Sequence, residues 1–267
     1  MSIDILMTDH PAWRSDGTVS RRPIQVDAHT TWLVEADKGQ VNWTVHSGTG
    51  APPTIDVFAL PSATPMPAAP LHTGLSTLGQ VGRISNPSLW DALATAIVRQ
   101  VIRARQARKL YQEFCDRFGD RIALSDQSDI HTFPTPDRML TLSDAEFTGC
   151  GMAFKRRSLR CAAEAYLAHG QTWTELAPSV LVKELQTIPG IGPWSAGAAV
   201  ADFSHDWSLY PYGDLAVRTW AGHAAPDYAW PGDEASFART WRRVTGEHLG
   251  TYTVFTLAFG CRQAGAV

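Results

Sequence analysis

The chain is poor in cysteine: Cys115, Cys150, Cys161 and Cys261 are scattered and form no Cys-x-x-Cys pair. This excludes a zinc-finger or disulfide framework and leaves four thiols. No apolar run reaches about 18 residues, so no membrane-spanning helix and no membrane partner is expected. The opening stretch "MSIDILMTDHPAW" has neither a basic lead nor an apolar signal core, and a cytoplasmic, nucleoid-associated protein is expected. No internal repeat is found. Lysine is missing after Lys183. An excess of basic charge is also missing: the formal net charge of −3 argues weakly against a nucleic-acid partner.

The apolar share of 44% and charged share of 18%, over 267 residues, give enough core for one large domain or two modest ones. Charge is unevenly spread. Residues 1–80 carry 4 basic and 7 acidic side chains and residues 171–267 carry 6 and 9, whereas residues 81–170 carry 13 and 10. In that middle segment stand Arg99, Arg103, Arg105, Arg108 and Lys109, then Lys155, Arg156, Arg157 and Arg160. Such clusters read either as solvated helix faces or as contacts to phosphates, with Arg99, Arg103, Lys155 and Arg156 the candidates.

Along the chain the hydrophobic period changes once. "TTWLVEA", "VNWTVHS" and "TIDVFAL" alternate like strands, broken at Lys38-Gly39 and between Gly48 and Pro53. A proline-rich connector follows over Pro61 to Pro70. After Asn86-Pro87, Leu89, Leu93, Ile97, Val101 and Leu110 recur at helical intervals, with Ser88 and Asp91 as an N-cap pair. Further helices are expected near 143–149, 155–169, 173–178, 180–187, 193–204, 214–222, 234–248 and 251–262. The expectation is an α+β protein, with a small β-rich domain over 1–80 and an all-α domain over 81–267.

One stretch stands out. "LQTIPGIGPWSAGAAVADF" halts an amphipathic run at Pro189-Gly190-Ile191-Gly192 and restarts it at Pro193, a residue suited to a helix's first turn. Glycine admits close backbone approach, so the hairpin can aim bare N–H groups at an anion near a helix N-terminus. A phosphate held in this way is gripped without regard to base sequence. A plain helix–helix turn is the other reading. Asp214 follows in "LYPYGDLAVRTW", either as a helix cap or as a functional carboxylate.

The stretch 185–222 resembles the helix-hairpin-helix, Gly/Pro-rich loop and Asp motif of the DNA glycosylase superfamily. "LQTIPGIGPWSAG" is most similar to its alkylpurine branch, the 3-methyladenine DNA glycosylase II type. "LWDALATAIVRQVI" and "FPTPDRMLTLSDAEFTGCGMAFKRRSLRCAAEAYLAHG" resemble, in order, the branch's wedge-bearing helix and the segment before its hairpin, so the likeness covers about 84–262. It departs at Ala198, where the branch tends to have an aromatic, at Gly213 before the Asp, and in the short N-terminal domain.

The resemblance implies a monomeric enzyme of base excision repair acting on double-stranded DNA with damaged bases. Asp214 takes the catalytic carboxylate position. Residues 189–192 grip the phosphate 3′ of the lesion. Gln100 and Val101, with Ile102 as second choice, fill the gap left by a flipped base, unless Val101 is helix core. Trp194, Tyr212 and Trp220 hold the cationic base by stacking, unless they are core aromatics. Trp194 stands where lyase-competent members carry a nucleophilic Lys, which implies a monofunctional glycosylase. No cofactor or metal is implied for the chemistry, although hairpins of this type can bind a monovalent cation through backbone carbonyls. Two rival readings are a glycosylase for oxidised or deaminated bases, with Ser195 or His205 as proton donor, and a non-catalytic DNA-binding module. A hydrolase using His205 and Asp206 is a remoter third.

Overall fold

The computed structural model describes residues 3–37, 39–62, 68–124 and 128–265. Residues 63–67 of the expected connector and Lys38 of the expected turn lie outside the described residues. The contacts divide the chain into two units, and not by a single cut at residue 80: one holds 1–9, 55–84 and 205–267, the other 10–54 and 85–204.

The larger unit has a four-stranded antiparallel sheet ordered β2 (Arg14–Ser15), β3 (Ser20–Gln25), β4 (Thr31–Asp37) and β5 (Gln40–Ser47). β4 and β5 fall on the first two of the three alternating stretches expected. β3 contains Pro23, which hides it from propensity. β2 pairs only Ser20 and Arg21, so β3 is an edge from Arg22 onward, where a proline is tolerated. Leu33 of the sheet packs on Ile122 and Ile130 of a second hairpin, β8 (Arg121–Ala123) with β9 (Asp129–His131). That hairpin corrects the expectation that everything after residue 80 is helical.

The rest of this unit is helical: α2 (Leu89–Arg99), α3 (Ala104–Phe118), α4 (Pro136–Thr141), α5 (Asp144–Gly149), α6 (Arg156–Trp173), α7 (Pro178–Leu185) and α8 (Pro193–Ser204). The helix expected at 173–178 does not form: α6 runs to Trp173, and Pro178 opens α7. α8 has only small residues and one valine among its buried positions 195–202, Asp202 excepted, and α2 packs closely against it. Nearly all of α2 is buried, from Leu89 to Val98 with Asp91 half-buried.

At the start of α2 lies a buried polar cluster. Asp91 takes hydrogen bonds from the Tyr111 hydroxyl (2.5 Å) and Asn86 Nδ2 (3.1 Å), and contacts His10 Nε2 at 3.1 Å and Arg22 at 3.6 Å. Asn86 Nδ2 also donates to Asp202 of α8 at 2.7 Å, tying the two helices together. Burial opposes ionisation of Asp91, but His10, Arg22 and Tyr111 outweigh it and hold its carboxyl well below the usual range. Burial and the nearby Arg22 push the His10 imidazole down. Ser88 caps α2 as expected, accepting from the Asp91 N–H.

The smaller unit joins β1 (Ile5–Leu6), β6 (Ile55–Phe58) and β7 (Val81–Ile84) in a three-stranded sheet ordered β1-β7-β6. Its helices are α1 (Ala69–Ser76), α9 (Leu215–Ala224), α10 (Glu234–Thr245) and α11 (Leu249–Gly265), with a 3-10 turn at Gly246–His248 between the last two. No helix of the described residues is long and apolar enough to cross a membrane.

Candidate functional site

In the larger unit, α7 ends at Leu185 and the chain turns through Pro189-Gly190-Ile191-Gly192 into α8. Leu185, Ile188 and Ile191 are buried, while Pro189, Gly190 and Gly192 are exposed. The apolar side chains therefore fasten the hairpin and turn its glycines outward. One backbone bond closes the turn, from Ile191 N–H to the Ile188 carbonyl at 3.0 Å. Gly190 has φ +87°, and a Cβ there would collide with the Ser158 hydroxyl on α6. Gly192 faces open space. The N–H groups of Gly190 and Gly192 have no partner among the described residues, and the first turn of α8 adds its own outward N–H groups.

The helical period of Leu89, Leu93 and Ile97 predicts that Val101 continues α2. It does not. α2 stops at Arg99, and Val101 stands at φ +61° with its side chain fully exposed. A β-branched residue in the left-handed region costs about 1–3 kcal/mol unless its surroundings enforce it. The surroundings here are explicit. Gln100 Nε2 donates to the Gly190 carbonyl at 3.1 Å and to Ser195 Oγ at 2.6 Å, while Lys155 Nζ donates to the Gln100 carbonyl at 2.7 Å. Of the three wedge candidates, Val101 projects, Gln100 is committed to the hairpin and Ile102 is half-buried.

The basic candidates divide. Lys155 is 3% exposed, a correction to its expected role as a phosphate contact, and desolvation pushes its amine down to about 8. Arg156 is paired with Asp144 at 2.7 Å, and Arg160 with the same carboxylate at 2.9 Å. Arg103 is exposed with no ion-pair partner among the described residues; Arg99 is half-buried. Along α3, Arg105, Arg108 and Lys109 border an open groove of about 460 Å³ that also contains Glu113 and Asp116. With Arg14 and Arg117 bound to those two acids, this is a mixed, solvated face.

In the smaller unit, Asp214 is the N-cap of α9, accepting from Ala216 N–H at 3.4 Å. The carboxylate is half-buried and has no ion-pair partner among the described residues. Arg218, one turn on, donates instead to the Gly232 carbonyl at 2.8 Å. A Cβ on Gly213 would meet the Glu234 side chain of α10 at 3.0 Å, a tight contact. Tyr212 is half-buried, with the Arg242 guanidinium 6.0 Å over its ring. Trp220 lies six residues after Asp214, about 9 Å farther along α9 and about 240° round it. There it packs on Gly260 of α11 and against His223, on a different face of α9 from Asp214. Trp194, in the larger unit, is half-buried on the first turn of α8.

The Clostridium acetobutylicum 8-oxoguanine glycosylase/lyase, in complex with double-stranded DNA containing cytosine opposite 8-oxoG, matches with TM-score 0.70 at 13% identity, over 98% of this chain and 91% of that one. The chain has the helix-hairpin-helix DNA glycosylase fold. A second match with this fold is the 3-methyladenine DNA glycosylase of Archaeoglobus fulgidus, with TM-score 0.68 at 17% identity over 96% and 91% of the two chains. The 3-methyladenine DNA glycosylase of Schizosaccharomyces pombe, in complex with abasic DNA, matches with TM-score 0.51 at 18% identity over 64% and 81%. No family model matches the sequence, and no curated protein is similar to it.

Within the glycosylase fold, the structure brings Gln100, Val101 and the hairpin into one cluster. Sequence reasoning missed Ser195 and Lys155 as members of that cluster. Ser195 is 2% exposed and receives the Gln100 side chain, so it is not a solvent-facing proton donor. His205, the other suggested donor, pairs with Asp56 at 3.0 Å.

Proposed function

We propose that this protein is a monofunctional DNA glycosylase that extrudes damaged purines, alkylated ones above all, from double-stranded DNA and hydrolyses the N-glycosidic bond. The observation that carries the reading is Val101: an exposed apolar side chain, held in a strained backbone conformation and tied through Gln100 to a hairpin with outward N–H groups. A module that only binds DNA needs the hairpin and has no use for the projection. A base inside a duplex cannot be reached until it is flipped, and something must occupy the gap it leaves.

In this scheme the hairpin holds a backbone phosphate through Gly190 and Gly192, and Val101 enters the stack. Tyr212, two residues before Asp214, receives the extruded base by stacking and cation–π attraction. An N-alkylated purine is cationic and leaves without a proton donor, taking the bonding electrons and leaving an oxocarbenium-like sugar. Asp214 stabilises that sugar as an unpaired anion and accepts the proton of the attacking water, so that the products are the free base and an abasic strand. An alkylated substrate fits a site where Ser195 and His205 are both engaged elsewhere. The absence of lysine after Lys183 supports hydrolysis over Schiff-base chemistry. The scheme uses no cofactor. A monovalent cation at the hairpin would be held by its backbone carbonyls. The protein acts as a monomer on cytoplasmic, nucleoid DNA.

The test is excision by the purified full chain on a panel of duplexes, each with a single alkylated, oxidised or deaminated base. Release of the alkylated purine is expected to be fastest. Tight, unselective duplex binding with no release from any member would refute the enzyme reading in favour of the binding module.

A further inference from the structure

Lys155 does something unusual for a lysine. It is buried, its ammonium donates to a backbone carbonyl, and the Phe154 ring lies 5.1 Å from its Nζ. Burying an amine is unfavourable, and here desolvation lowers its pKa to about 8, so the position is not one where a lysine settles by default. The carbonyl it holds belongs to Gln100, the residue immediately before Val101. The Gln100 side chain reaches the other way, to the Gly190 carbonyl and Ser195. Gln100 is thus gripped at both ends, by the start of α6 and by the hairpin. With its carbonyl fixed, the next peptide plane is oriented and Val101 stays in its left-handed conformation.

We propose that Lys155 is a positioning residue that holds the Gln100 carbonyl so that Val101 is presented to the duplex in register with the phosphate-gripping hairpin. This rests on the glycosylase reading above. Without the ammonium, the Gln100 carbonyl can turn and Val101 relaxes toward the ordinary negative-φ regions, where a β-branched residue is more stable. The hairpin is untouched, so the grip on the phosphate remains while base extrusion fails. The loss falls on flipping and not on binding.

The experiment uses the full chain with Lys155→Met, which keeps the length and removes the donor. Amide exchange in residues 98–103 is expected to speed up, while affinity for an undamaged duplex changes by less than about twofold. Single-turnover excision of an N-alkylated purine in a fully paired duplex should fall by about tenfold or more, the worth of one hydrogen bond from a charged donor. When the same lesion sits in an unpaired bulge, extrusion is already done and the loss should shrink below about threefold. Ser195→Ala, which removes one of the two acceptors that hold the Gln100 side chain and leaves the Gly190 carbonyl in place, should show the same pattern more weakly, and carries the comparison if Lys155→Met does not fold. Unchanged exchange in 98–103, or equal losses on paired and bulged substrates, overturns the inference and leaves the enzyme reading standing. A wild type that excises from neither substrate overturns both.

Discussion

Replacing Asp214 by Asn separates its two possible duties. As the N-cap of α9 it accepts one long hydrogen bond, 3.4 Å from Ala216 N–H. The Asn carbonyl oxygen can accept the same bond, and Asn and Asp are near-equal N-caps, so the stability change should stay within about 0.5 kcal/mol. The charge is another matter. The carboxylate has no ion-pair partner among the described residues, so its field is not cancelled at short range. An anion about 4 Å from a sugar cation, at an effective dielectric constant of about 20, contributes about 4 kcal/mol. At 1.36 kcal/mol per decade this is roughly a thousandfold in rate, and we set a hundredfold as the smallest loss consistent with the mechanism. The assay is single-turnover excision from an alkylated duplex by the wild type and Asp214→Asn, alongside their melting temperatures. Affinity for the lesion duplex should persist or rise, because an anion facing phosphates is removed. Equal excision rates, whatever the melting temperatures, would show that the charge takes no part in the chemistry and refute the reasoning.

Three further outcomes are expected. Gly192→Ala should fold normally, since a Cβ there meets nothing, yet weaken binding to damaged and undamaged duplexes alike; Gly190→Ala should also lose stability through its positive φ and the Ser158 collision. A sequence-selective loss of affinity, measured across a salt titration, would contradict a backbone phosphate grip. Borohydride should trap no covalent protein–DNA adduct, and the product strand should break only after hot alkali; an adduct abolished by Lys155→Met would place that amine in the chemistry. Acid should destabilise the larger unit in two stages. Below about pH 6.5 the unfolded chain protonates His10 while the folded chain, whose imidazole is pushed down, does not; below about pH 4 the unfolded chain protonates Asp91 while the folded chain keeps it ionised. Asp91→Asn should remove the second stage and cost about 3–5 kcal/mol at neutral pH, because Arg22 loses its buried partner, and urea unfolding between pH 3 and 8 checks both.

Where local chemistry decided the backbone, the residues sufficed. Pro193 and the glycines marked the break between α7 and α8, and α8 spans the interval expected of it, because an N1 proline and a positive-φ glycine act within one turn. Asp214 announced the start of α9 for the same reason, as Ser88 announced α2. Periodicity found β4, β5 and most of the helices, and it misread the place that matters most. Leu89, Leu93, Ile97 and Val101 form one uninterrupted helical pattern, and nothing within a few residues of Val101 stops it. The helix is stopped by partners 55 and 90 residues away, Lys155 on the Gln100 carbonyl and the Gly190 carbonyl on the Gln100 side chain. The burial of Lys155 is hidden for the same reason, since a lysine beside two arginines reads as a surface cluster until the chain places a carbonyl beside it. The same holds for the division into units: β1 pairs with β7, Ile5 opposite Val81, so the first strand belongs with residues far along the chain. Caps, turns and hydrophobic period are short-range effects that a sequence displays. Which carbonyl a buried ammonium finds, and which valine is held out to solvent, depend on segments that only folding brings together.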